Sequence, residues 1–140
     1  MVEFAASGTV LFLTIVGLLK MCLAIYTYHY ISEAAREGTR YAMVRGSSCS
    51  GFATACPAVS SDVQTYLRSV TYPGITSSLV NASATWAAYP SGVSCTPSAT
   101  CNNPGNQVTV KVTYAFPLSI PFMSNRTLNM TSTATNIIAQ

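Results

Sequence analysis

Cysteines carry the most definite chemistry in this sequence. Cys49, Cys56, Cys95 and Cys101 lie among Ser, Gly, Pro and Asn residues, whereas Cys22 sits inside an apolar run and reads as a small buried thiol. The first four allow three pairings, and the short loops of turn-forming residues that they bracket favour Cys49–Cys56 and Cys95–Cys101. Disulfides imply an oxidising compartment. Zinc is the competing use of such thiols, but no CxxC spacing occurs and the one imidazole, His29, lies apart from them. No metal or cofactor is expected.

The ionic residues form a second set. Glu3 precedes the apolar run and Lys20 falls in it, and Glu33, Arg36, Glu37 and Arg40 follow it at spacings suited to i,i+3 contacts. Lys20 has two readings of equal standing. It either snorkels, since a mid-bilayer Lys costs about 2.5–3.5 kcal/mol, or it meets a carboxylate or carbonyl in a packed helical core. Catalysis finds little to work with. Asp62 is the one carboxylate beyond the charged helix, so neither a Ser/His/Asp set nor an acid/base pair can be assembled. The formal charge of +3, with no basic run interleaved with aromatics, disfavours nucleic acid as a partner.

These groups need elements to place them. Phe4 to Ile31 is almost wholly apolar, long enough for a hydrocarbon layer of about 30 Å, and Ser32 to Arg45 continues it as a charged, amphipathic helix. The expected organisation is a transmembrane or filament-core helix over 1–31 and an α+β domain over 32–140, whose first part, 32–45, extends the helix. The run has no Ala-x-Ala site and is too long for a cleaved signal peptide, so it reads as retained. Arg36, Arg40 and Arg45 follow the run while only Glu3 precedes it, which by the positive-inside rule places the domain in the cytoplasm. A short basic leader, removed from in front of Met1, reconciles this with the disulfides. Gly38 reads as a mild weakness in the helix, and Gly46 as its stop.

Ser60-Ser61-Asp62 predicts the cap of a short helix with Val63, Tyr66, Leu67 and Val70 on one face, ended by Tyr72-Pro73-Gly74. The period then becomes two. Leu79–Ala88 predicts one strand, and Val108, Val110, Val112 and Tyr114 mark the apolar face of another. Leu128, Met130, Ser132, Ala134, Asn136 and Ile138 share one side of a last strand. Two or three antiparallel strands are expected to pack on the soluble part of the long helix. Trp86 reads as a core residue, and Tyr26, Tyr28, Tyr30 and Tyr41 as an aromatic belt at the membrane surface. Asn81, Asn125 and Asn129 each begin a glycosylation acceptor pattern.

With these residues in view, the chain resembles the TadE-like family of pilin-like proteins from tight-adherence, type IV-like pilus systems. The resemblance rests on Val2-Glu3-Phe4-Ala5 before the apolar run, on Ala34-Ala35-Arg36-Glu37-Gly38-Thr39-Arg40-Tyr41-Ala42, and on Val108–Pro117 with Thr127–Asn136. It implies insertion in the inner membrane, cleavage by a prepilin peptidase and handling by a pilus assembly machinery. It also implies a role for Glu3, since a glutamate near the mature N-terminus of such subunits neutralises a neighbour's N-terminal amine. The family usually places that acid at the fifth position; here it stands third, where a helix N-terminus favours an acid in any case. The expected function is a structural subunit that polymerises with copies of itself into an extracellular, adhesive filament. The alternative is an inner-membrane-anchored pseudopilin that assists assembly or adhesion without forming the fibre.

Overall fold

The computed structural model describes residues 2–51, 55–70, 72–95, 101–119, 121 and 124–139. Its elements are helix α1 (Val2–Met43), helix α2 (Ser60–Ser69), a 3-10 turn (Ser77–Leu79) and strands β1 (Val80–Ala87), β2 (Gln107–Leu118) and β3 (Arg126–Ile137). The arrangement is α+β, with a pilin-like layout.

The 42 residues of α1 form one uninterrupted element, about 63 Å long at 1.5 Å per residue. No proline interrupts it. Its upper half is apolar, and the hydroxyls there are returned to the helix's own carbonyls: Ser7 to Glu3, Thr9 to Ala5, Thr14 to Leu11 and Thr27 to Leu23, at 2.7–2.9 Å. Those side chains therefore bring no unsatisfied donor into an apolar medium. The regular helix closes at Met43, after which the Arg45 N–H reaches back to Ala42 O.

Within the expected Ser60-Ser61-Asp62 stretch it is Asp62 that closes the start of helix α2. Val59 is the capping residue, and Asp62 turns back so that its Oδ2 accepts the Val59 N–H at 3.0 Å. Ser60 is used elsewhere, its hydroxyl accepting the Ala84 N–H of β1. Val63 and Leu67 are the buried face of this helix.

The strands form an antiparallel sheet in the order β1-β2-β3. Its register aligns Ala84 with Val110 and Ala134, and Thr85 with Thr109 and Thr135. Because side chains alternate, this register places Val80, Ala82, Ala84, Trp86, Val108, Val110, Val112, Tyr114, Phe116 and Met130 in the core. Trp86 is buried there as its sequence context implied. The other face presents Asn81, Ser83, Thr85, Lys111 and a series of threonines. α2 lies on β1, and the lower part of α1 lies across β2 and β3.

The helix approaches the sheet on small residues. Ala34, Ala35, Gly38 and Ala42 are buried at helical spacing. At Gly38 an added Cβ would stand 3.0 Å from Leu67 Cδ1, 3.1 Å from Val110 Cγ1 and 3.3 Å from Val63 Cγ1. This glycine is the point of close contact between α1, α2 and β2, and its low helix propensity is offset by packing.

Below the helix the two cysteine loops are tied together. Cys49 and Cys56 stand at disulfide distance, with Cα atoms 6.0 Å apart, as do Cys95 and Cys101 at 5.8 Å. Asn102 is fully buried between the loops. Its Nδ2 donates to Ala58 O at 2.9 Å, its main-chain carbonyl accepts the Ser47 N–H, and Ala58 N–H in turn donates to Arg45 O. This asparagine clasps the end of α1 to both loops.

Candidate assembly surface

The upper half of α1 is uncovered. From Glu3 to Tyr26 no residue of the helix is buried, and an 18-residue window there has a mean hydropathy of 2.2. Phe4 is 85% exposed and Leu18 65%. The helix is long and apolar enough to cross a membrane.

The cost of leaving this segment in water is decisive. Ten large apolar side chains (Phe4, Val10, Leu11, Phe12, Ile15, Leu18, Leu19, Met21, Leu23 and Ile25) are about half or more exposed. At about 1 kcal/mol for each half-exposed side chain the sum is about 10 kcal/mol. That equals the whole stability of an ordinary domain, about 5–15 kcal/mol. The segment therefore requires lipid or other helices around it.

Glu3 and Lys20 are the ionic groups of this uncovered half, and among the described residues neither has an ion-pair partner in the isolated chain. Glu3 lies in the first turn. Seventeen residues separate the two, an axial distance of about 25 Å. Gly8 and Gly17 lie between flanking side chains with nothing within 4 Å of an added Cβ.

Burial begins at Thr27. Just above it the Tyr26 hydroxyl donates to Pro73 O at 3.2 Å, and Tyr30 packs its ring 4.8 Å from that of Tyr72. The tyrosines thus divide. Tyr26 and Tyr28 are exposed, as a belt would be, whereas Tyr30 belongs to the core and Tyr41 stacks on Tyr66 with ring centroids 4.2 Å apart. Sequence reasoning missed this division because the partners come from α2 and the segment after it. His29 is exposed at the same level.

The charged seam is only partly free. Arg36 donates to Glu33 at 3.2 Å on the exposed side. Glu37 faces α2: its Oε1 accepts the Tyr66 hydroxyl at 2.8 Å, while Arg40 stands 4.0 Å from Oε2. That hydrogen bond is the main reason the Tyr66 phenol is pushed up from its ordinary value of 10.0, burial and the Glu37 charge adding to it. The Arg45 guanidinium covers the Tyr41 ring at 3.8 Å. Glu37 therefore helps to fix α2 against α1, and Glu33, Arg36 and Arg40 remain at the surface.

Of the acceptor asparagines, Asn81 and Asn129 lie on the open face of the sheet and Asn125 precedes β3; all three are exposed. The Asn81 amide oxygen accepts from Arg68 Nη2 at 3.1 Å.

Comparison with known proteins gives one match. Residues 1–40 fit the family model described as TadE-like protein, whereas curated proteins and solved structures yielded no match. The matched segment comprises the uncovered half of α1 and most of the part held by the sheet, and it fits a pilus-associated, pilin-like protein. Over its first 40 residues the chain is similar to the TadE-like family.

Proposed function

We propose that this chain is a structural, pilin-like subunit that waits in the inner membrane and polymerises through α1 into an extracellular filament. The carrying observation is the uncovered, apolar half of α1, in which no residue from Glu3 to Tyr26 is buried while the rest of the described chain is a folded domain. An anchor needs only such lipophilicity. A filament core needs in addition small surfaces for close helix approach and polar groups to set register, and Ala5, Ala6, Gly8 and Gly17 with Glu3 and Lys20 supply both.

The energetics follow from the medium. Leaving lipid for a bundle of neighbouring helices gains little hydrophobic energy, so packing and charge pairing decide the geometry. An unpaired carboxylate or ammonium in such a core is costly. Glu3 of one copy needs a cation from another, and Lys20 of a copy shifted by about 25 Å along the axis supplies it. Copies of the chain, a prepilin peptidase and a pilus assembly machinery are the partners of this reading. The disulfide-held domain then coats the outside of the fibre.

The test is a charge exchange. Glu3→Lys and Lys20→Glu are each expected to abolish surface fibres while the protein remains in the membrane, and the double variant is expected to restore them. Fibres unaffected by either single change would remove this pairing. A chain that never leaves the inner membrane, in wild type or variant, would favour the anchored pseudopilin.

A further inference from the structure

The two edges of the sheet are treated differently. On β1 the backbone groups turned away from β2 belong to even-numbered residues, and three of them are met. Val80 O accepts from Arg68 Nε at 2.9 Å, Ala84 N–H donates to Ser60 Oγ at 3.0 Å, and Trp86 O accepts from Cys95 N–H at 3.1 Å. Antiparallel alternation carried through the register places odd-numbered residues on the outer edge of β3. In agreement, the Ile137 N–H is held by Asn136 Oδ1 and the Ala139 N–H by Met43 O. Before them, the outward backbone groups of Thr127, Asn129, Thr131, Thr133 and Thr135 meet no other element among the described residues.

That stretch lacks every usual protection. Thr127–Thr135 contains no proline, no glycine and no charge, and among the described residues no helix or loop hydrogen-bonds to its edge. Such an edge is a template for an added strand. A sheet continued from copy to copy would need β1 open as well, and Arg68, Ser60 and Cys95 occupy its edge. The edge therefore takes one partner and does not propagate.

Charge names the partner. The open stretch ends at a cleft of about 190 Å³ lined by Arg36, Thr39, Arg40, Ala134, Thr135 and Asn136, whose two arginines are exposed and carry only surface ion pairs, to Glu33 at 3.2 Å and to Glu37 at 4.0 Å. A second copy pairing antiparallel about Thr131 would bring Arg126, the sole charge of β3, to Asn136 and so to these arginines. No other part of the chain is better suited, since its four acidic residues, Glu3, Glu33, Glu37 and Asp62, all lie in helices. We infer that the β3 edge docks an extended, acidic segment of a different protein, adding a strand at Thr127–Thr135 with carboxylates beside Arg36 and Arg40.

The full-length protein in detergent micelles is titrated with a labelled peptide of alternating Thr and Val that ends in paired Asp. Two controls carry Lys in place of Asp, or methyl groups on alternate backbone nitrogens. The Asp peptide is expected to bind about fivefold more tightly than the Lys peptide. Methylation should abolish binding, and amide exchange should slow at Thr127–Thr135 alone. Thr131→Pro should remove binding with Trp86 fluorescence unchanged; if that variant fails to fold, the methylated peptide makes the same test from the other side. Equal affinity for both charges, binding that survives methylation, or none up to about 1 mM would overturn the inference. So would spontaneous disulfide dimers of Thr131→Cys formed without peptide, which would make a second copy the occupant.

Discussion

Gly38 and Tyr66 show how single side chains join α1 to the rest of the domain. A methyl group at Gly38 meets Leu67, Val110 and Val63 together, two of them stiff β-branched side chains, so crowding outweighs the gain in helix propensity of about 1 kcal/mol. Gly38→Ala is expected to lower stability by about 1 kcal/mol, read from the urea midpoint of the detergent-solubilised protein. Tyr66 links folding to alkaline pH. Its phenol holds its proton longer in the folded chain, because it donates to Glu37, than in the unfolded one. The stabilisation is complete below the unfolded value and is lost as pH rises through it toward the folded value. Stability above about pH 10 should therefore fall more steeply in the wild type than in Tyr66→Phe, a difference that denaturant titration at successive pH values measures. Neither role was legible in the sequence. Gly38 reads as a flaw until its neighbours are known, and the partner of Glu37 lies 29 residues away.

At the scale of elements, periodicity revealed what local rules control. The unbroken apolar run made α1, and strict alternation placed Val108, Val110 and Val112 inward and Thr109, Lys111 and Thr113 outward. What alternation does not carry is which edge is covered, because the covering groups, Arg68, Ser60 and Cys95, come from outside the strands. The loop between β1 and β2 was legible only as a cysteine-bearing turn region. Its attachment depends on Asn102, whose acceptor Ala58 is 44 residues distant and carries no signal of its own. Asn102→Ala leaves the Ala58 carbonyl without its donor and should cost about 1–3 kcal/mol in thermal or urea unfolding. Replacing Cys95 and Cys101 by Ser removes a small loop closure and should cost about 2.5 kcal/mol, with reductant lowering the wild type by more than the variant, which keeps only the Cys49–Cys56 pair.

For the whole molecule, the division of labour along α1 is the central feature. Its lower half is a core helix, built on Ala34, Ala35, Gly38 and Ala42 against the sheet. Its upper half has the composition of a membrane span, and among the described residues none from Glu3 to Tyr26 is buried. The two-part character of this helix was legible from charge and hydropathy alone; what surrounds its upper half was not, because none of its residues from Glu3 to Tyr26 is buried within the chain. This separation predicts a separation of phenotypes. Gly8→Leu and Gly17→Leu meet open space in the monomer, so the urea midpoint of the domain should stay unchanged while fibre yield falls. Electron microscopy of material sheared from the cell surface, with the constituent chain identified by mass spectrometry, tests the account most directly. Thin fibres composed of this chain, with α1 at their centre and the sheet domain outside, are the predicted result. Fibres that lack the chain, with all of it retained in the inner membrane, would contradict the account.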